Sequence, residues 1–173
     1  MRITNLAEYG VICALHLAKR AADGPIAGRE IAAREQLPVD YVEQILLRLR
    51  RAGVVRSTRG ARGGYQLARP AEEISIREVI EGSEESTFDL NCDAHPVGAD
   101  RCSSSHSCSI RPVWMLLQRR IDEVLEGVRL SDLLDVEGGV SAHLGLARGA
   151  MDAPEPANRR ALPVLSGAPA SIV

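Results

Sequence analysis

The chain has 173 residues, of which 45% are hydrophobic and 3% aromatic, and a formal net charge of −2. That length suits one compact domain with an appendage or tail, and a core so poor in aromatics must be built from Leu, Ile, Val and Ala, which favours helices over sheets. No apolar stretch approaches the ~20 residues of a membrane span, and Met1-Arg2-Ile3-Thr4-Asn5 lacks the apolar run of a signal peptide, so a cytoplasmic protein with no membrane partner is expected.

Leu6, Tyr9, Cys13 and Leu17 recur at helical spacing, widened by Val11, Ile12 and Leu15. They predict a helix over 5–21 that Asp23-Gly24-Pro25 ends. A second helix over 29–35 leads into the tight turn Gln36-Leu37-Pro38. A third spans 39–52, with Tyr41, Val42, Ile45, Leu46 and Leu49 as its buried set and Gly53 as its stop. Two short helices joined by such a turn make a helix-turn-helix. Next come β-branched Val54-Val55-Arg56-Ser57-Thr58, Gly-rich Arg59-Gly60-Ala61-Arg62-Gly63-Gly64, and Tyr65-Gln66-Leu67-Ala68. These read as strand, turn and strand, a hairpin that acts as a wing. A short helix over 75–81 completes a winged helix-turn-helix DNA-binding domain at 1–82.

Residues 83–109 are polar, lack periodicity and carry Cys92, Cys102 and Cys108. From Ile110 the pattern changes. Ile110, Trp114, Leu117, Ile121, Val124 and Val128 follow spacings of 4, 3, 4, 3 and 4, an a/d seam, with Arg119, Arg120, Asp122, Glu123 and Glu126 on the outer faces. A lone helix with such a seam needs a partner. It packs either on its own domain or, in the preferred reading, on a second copy as a dimerisation helix. Ser131 caps a last turn, Asp132-Leu133-Leu134, which closes the segment 110–135. Gly, Ala and Pro dominate from Glu137, and 136–173 is expected to be a disordered tail. The fold class is therefore mainly α: a winged helix, a cysteine-bearing loop and a long dimerisation helix.

The net charge conceals an asymmetry. Residues 1–70 carry twelve Lys and Arg against six Asp and Glu, a net of +6, and residues 71–173 carry a net of −8. Between Tyr41 and Arg69 stand seven arginines and one acid, Glu43. Lys19 is the only lysine, so codon bias contributes to the arginine count, but it does not explain why acids are missing from this segment. A local basic stripe on an acidic chain is the footprint of a phosphate-binding surface. A recognition helix presents its N-terminal turns to base edges, here Val39, Asp40, Glu43 and Gln44. Gln pairs with adenine and Glu accepts from cytosine N4. Arg48, Arg50 and Arg51 lie further along, at phosphate positions. In the wing, Arg59 and Arg62 stand between glycines that allow close approach, and arginine suits a narrow minor groove. The alternative for each arginine alone is a solvated surface.

The chain resembles the Rrf family of winged-helix regulators. The resemblance is carried by Met1-Arg2-Ile3-Thr4 with Glu8-Tyr9, by Tyr41-Val42-Glu43-Gln44-Ile45-Leu46, and by Leu49-Arg50-Arg51-Ala52-Gly53-Val54-Val55-Arg56-Ser57. It continues in Arg59-Gly60 and Gly63-Gly64-Tyr65-Gln66-Leu67-Ala68, resumes at the cysteine loop, and covers about residues 1–135. It implies a homodimer on a double-stranded DNA operator with dyad symmetry, with Glu43, Gln44 and Arg59 at operator-reading positions. It also implies an iron–sulfur cluster, 4Fe–4S ahead of 2Fe–2S, in a regulator, a repressor by preference, that senses redox state, nitric oxide or iron supply.

Cys92, Cys102 and Cys108 are separated by nine and five residues. Soft thiolates favour iron–sulfur clusters or zinc, and exposed cysteines left unused oxidise. Cluster-binding members of the resembled family usually have five residues in both gaps, so the first gap here is longer. One subclass supplies a carboxylate from the partner subunit near the start of helix one, a position that Glu8 matches. Another supplies a His three residues after the last Cys, where this chain has Arg111, which cannot ligate. His95 and His106 lie inside the loop as further candidates. The alternative for Glu8 is a helix N-terminal acid favoured by the helix dipole. The alternative for the loop is a zinc or thiol-redox site in a regulator of the same fold. Cys13 sits on an apolar helix face and reads as core. With no phosphate-binding glycine loop between a strand and a helix, and no triad, the sequence does not read as an enzyme.

Overall fold

A computed structural model describes residues 4–60, 63–84 and 110–145. Helix α1, Asn5–Lys19, is capped by Thr4, whose hydroxyl accepts from the Ala7 amide at 3.2 Å. Helices α2, Gly28–Glu35, and α3, Val39–Arg51, follow. Between them Gln36 turns left-handed at φ 55°, and the Leu37 amide donates back to the Ala32 carbonyl at 2.9 Å. Pro38 then precedes α3, where a missing N–H costs nothing. Gly53 adopts φ 77° just past α3, a conformation that penalises any residue with a Cβ.

Strands β1, Val55–Thr58, and β2, Gly64–Leu67, pair antiparallel with Val55 opposite Leu67 and Thr58 opposite Gly64. Helix α4, Ile76–Ser83, opens on a reciprocal cap: Ser75 Oγ accepts from the Glu78 amide, and the Glu78 carboxylate accepts from the Ser75 amide at 2.9 Å. Helix α5, Arg111–Gly127, a 3-10 turn at Leu130–Leu134 and helix α6, Glu137–His143, complete the described chain. Among the described residues no helix is long and apolar enough to cross a membrane.

The inner faces of α1 to α4 meet in one core that includes Leu17, Ile31, Val42, Ile45, Leu46, Leu49, Val79 and Leu130. Each large aliphatic side chain buried there contributes about 1.5–3 kcal/mol. Cys13 is fully buried, as expected of a core residue. Burial first and the charge of Glu35 second push its thiol up to about 12. Nδ1 of the buried His16 lies 2.6 Å from Glu35 Oε1 and ties α1 to the last turn of α2. Gly10 lets α1 rest on Ser83 of α4, whose side chain would collide with any Cβ at that position.

Three details depart from the sequence reading. Tyr41, expected in the buried set, is 44% exposed. It sits at the edge of the apolar stripe of α3, its ring edge-on to Tyr9 with centroids 6.2 Å apart. The seam of α5 is divided: Ile121 and Val128 are half-buried, whereas Ile110, Trp114, Leu117 and Val124 are exposed, as are Val113, Met115 and Leu116. The end of α5 is sewn to the start of α4, because the Ile76 amide donates to the Val128 carbonyl at 2.9 Å and the Leu130 amide to the Ile74 carbonyl at 2.8 Å. Finally, Glu137–His143 is helical where a tail without structure was expected. The Asp135 carboxylate accepts from the Val136 amide at 2.7 Å and lies against Gly139, at the positive end of that helix. Asp132 also faces His143 at 3.5 Å. The rest of the expected tail, 146–173, lies outside the described residues.

Candidate nucleic-acid interface

Helix α3 turns Val42, Ile45, Leu46 and Leu49 into the core, which leaves the opposite face free. Val39, Asp40, Glu43, Gln44, Arg50 and Arg51 are all exposed. The helical period explains the grouping, since positions 39, 43 and 50 fall on one line and 40, 44 and 51 on the next. This face carries the acceptor groups at the N-terminal end of the helix and the arginines at its C-terminal end. Such an order suits base edges at one end and phosphates at the other.

Arg48, grouped with Arg51 in the sequence reading, behaves differently. It lies on the flank of α3, is half-buried, and its Nη1 donates to the Ser83 carbonyl at 3.1 Å. Arg50 Nη1 reaches Ser57 Oγ of β1 at 3.3 Å, which links helix and wing. Arg59 is exposed at the end of β1, and Gly60 beyond it takes φ 115° to open the wing turn. Arg62 lies outside the described residues.

The wing is not a free flap. The Ile26 amide donates to the Tyr65 carbonyl at 2.9 Å and the Tyr65 amide returns a bond to Ile26 at 2.8 Å, so β2 is stitched to the residue pair before α2. The Tyr65 hydroxyl donates to Glu43 Oε2 at 3.3 Å. Burial, then the charge of Glu43 and this bond, raise Tyr65 above the usual phenol value, which keeps it a donor. Gly28 completes the contact, because the Glu43 carboxylate occupies the space a Cβ would need. Sequence reasoning singled out Glu43 and missed both of its neighbours. Gly63-Gly64-Tyr65 was legible as a turn, a strand and part of the family resemblance, but not as a partner of Glu43.

Glu8 is exposed in the first turn of α1, and Cys92, Cys102, Cys108, His95 and His106 lie outside the described residues. Among the described residues no group of three or more His, Cys, Asp or Glu could hold a metal ion. Helix α4 ends at Ser83 and α5 starts at Arg111, so the cysteine segment joins the winged helix to the helix that carries the exposed seam.

Comparisons with known proteins agree with this geometry. The model of the Rrf2 family, described as an iron-dependent transcriptional regulator, matches residues 3–136. A transcriptional regulator named ORF2 from Azotobacter vinelandii is 37% identical over 78% of this chain and 79% of its own length. The regulator IscR of Aliivibrio salmonicida is 33% identical over 78% of this chain and 77% of its own. Among solved structures, T. potens IscR matches with a TM-score of 0.61 at 32% identity, covering 78% of this chain and 86% of that one. CymR, the global cysteine regulator of B. subtilis, matches with a TM-score of 0.64 at 29% identity, covering 78% and 96%. These relatives are regulators and not enzymes. This chain belongs to the Rrf2 family of DNA-binding transcription regulators.

Proposed function

We propose that the chain acts in the cytoplasm as a homodimeric repressor that reads a dyad-symmetric operator and senses its signal through an iron–sulfur cluster. The observation that carries the operator part is the exposed face of α3 together with the exposed Arg59 of the wing. Val39, Asp40, Glu43 and Gln44 would face base edges, Arg51 would serve a phosphate while Arg48 braces α3 against Ser83, and Arg59 and Arg62 would enter the minor groove. The wide exposure of Leu117, Val124, Val113 and Trp114 on α5 supports a second copy as its cover. In this reading residues 1–82 bind DNA, 83–109 hold the cluster and 110–135 make the dimer.

The donor set fits the cofactor. Cys92, Cys102 and Cys108 offer three soft thiolates, and Glu8 of the partner subunit would supply a hard fourth ligand. When bound, a cluster supplies iron that reacts with oxygen or nitric oxide. The protein's own part is to join α1 of one subunit to the cysteine segment of the other through Glu8. Loss of that tie would alter the separation of the two recognition helices, on which a dimeric reader depends. Anaerobic purification with a visible spectrum and iron and sulfide counts tests the reading. A brown protein with iron and sulfide supports it, whereas a colourless protein holding zinc moves the chain to a zinc or thiol-redox regulator of the same fold.

A further inference from the structure

Glu43 is the only acid between Tyr41 and Arg69, and the fold holds it from two sides. On one side the Tyr65 hydroxyl donates to its carboxylate at 3.3 Å. On the other the carboxylate rests against Gly28, the first residue of α2, where a Cβ would lie 2.9 Å from Glu43 Cδ. Helix α2 has no side-chain cap, so the acid also stands at a helix end that favours negative charge. Tyr65 in turn is fixed by the paired backbone bonds to Ile26, and Gly64 is pressed so closely on the Ile26 backbone that a side chain there would collide. The hairpin, the start of α2 and the recognition helix therefore converge on one carboxylate.

We infer that Tyr65 and Gly28 are positioning residues that hold the Glu43 carboxylate as a base-selective filter on the recognition helix. The inference rests on the reading of Glu43 as a base-facing group. A carboxylate has acceptors only. Fixed in place, it accepts from a cytosine N4 or adenine N6 amine and repels the O6 and N7 acceptors of guanine. Free to swing, it can leave the groove and tolerate guanine. Selectivity at that base pair then depends on the tether as well as on the acid.

The test uses the full-length dimer and an operator duplex selected by the wild-type protein from a randomised pool. Affinities are measured on that duplex and on each single base-pair variant. Glu43→Ala should flatten the preference at one base pair per half-site by about ten- to a hundredfold, the range of a good base contact. Tyr65→Phe keeps the ring and removes the hydroxyl. Gly28→Ala meets only the flexible end of Glu43 and displaces it. Each should flatten the same base pair, leave the other positions unchanged, and add nothing in a Glu43→Ala background. If Glu43→Ala flattens the preference and neither Tyr65→Phe nor Gly28→Ala does, the positioning inference is overturned while Glu43 keeps its role. If Tyr65→Phe still acts in the Glu43→Ala background, Tyr65 contacts DNA itself and the inference also fails. If Glu43→Ala changes no base preference, the base-facing reading fails and takes the inference with it.

Discussion

Nη1 of Arg48, on the recognition helix, donates to the carbonyl of Ser83 at 3.1 Å, at the end of α4. Arg51, three residues on, is exposed. Two arginines of one basic run are therefore held differently. Arg48→Ala should cost about 1.5–3 kcal/mol of stability, the range for a hydrogen bond that involves a charged group. Arg51→Ala should leave stability unchanged and reduce the slope of log affinity against log salt by about 1, the effect of one phosphate no longer neutralised. Denaturant unfolding and a salt series on operator DNA separate the two. Equal salt slopes for both variants would place Arg48 on phosphate as well.

Arg59 stands exposed at the wing. Arg59→Ala should weaken operator binding by about 1–3 kcal/mol, the range for one specific arginine–base interaction, while dimer mass and iron content stay as in wild type. Fluorescence anisotropy with a labelled operator reads the change. Affinity equal to wild type would remove the wing from recognition.

Leu117 is 39% exposed on α5 beside the open apolar residues Val113, Trp114 and Val124. Leu117→Asp should place a charge in the proposed dimer interface and yield monomers by light scattering. A soluble, unchanged dimer would put the interface elsewhere.

Cys102→Ala should abolish bound iron and sulfide and the visible absorbance. Glu8→Ala should retain colour after anaerobic purification but lose iron faster in air, with altered operator affinity. Glu8 is exposed in the first turn of α1, so wild-type behaviour in both assays would reduce it to a helix-end acid.

Glu78 stands below the ordinary carboxylate value. Burial alone would raise it, but the Ser75 amide and the Arg69 guanidinium, at 2.5 Å, outweigh that. A depressed acid contributes stability above its unfolded pKa and loses it as pH falls through the folded one. Wild type should therefore lose stability on acidification below about pH 4.5, the ordinary value for this group. Glu78→Gln should flatten that limb and lower stability at neutral pH. Thermal melts from pH 7 to pH 3 check both.

The local pattern alone carried much of this molecule. Apolar spacing located α1, α3 and α5, glycine at 53 marked the end of α3, and a β-branched run followed by a Gly-rich turn located the wing, because periodicity and turn chemistry are properties of neighbouring residues. The charge asymmetry pointed to the basic surface for the same reason. Pairings between distant parts of the chain settled the remainder. Arg48 meets Ser83 and Glu43 meets both Gly28 and Tyr65, pairings with no signature in spacing. Tyr41 lies outside the core and the α5 seam splits between its own domain and solvent, since a stripe states which face is apolar but not what arrives to cover it. Asp132 and Asp135 hold Glu137–His143 helical despite Gly138 and Gly139 within it. Sequence determined the elements of the winged helix and α5, though not α6, and which face of each is basic or apolar. Tertiary structure decided which charged groups on those faces stay available to a partner, because a side chain already bonded across the fold must give up that bond before it can bind anything else.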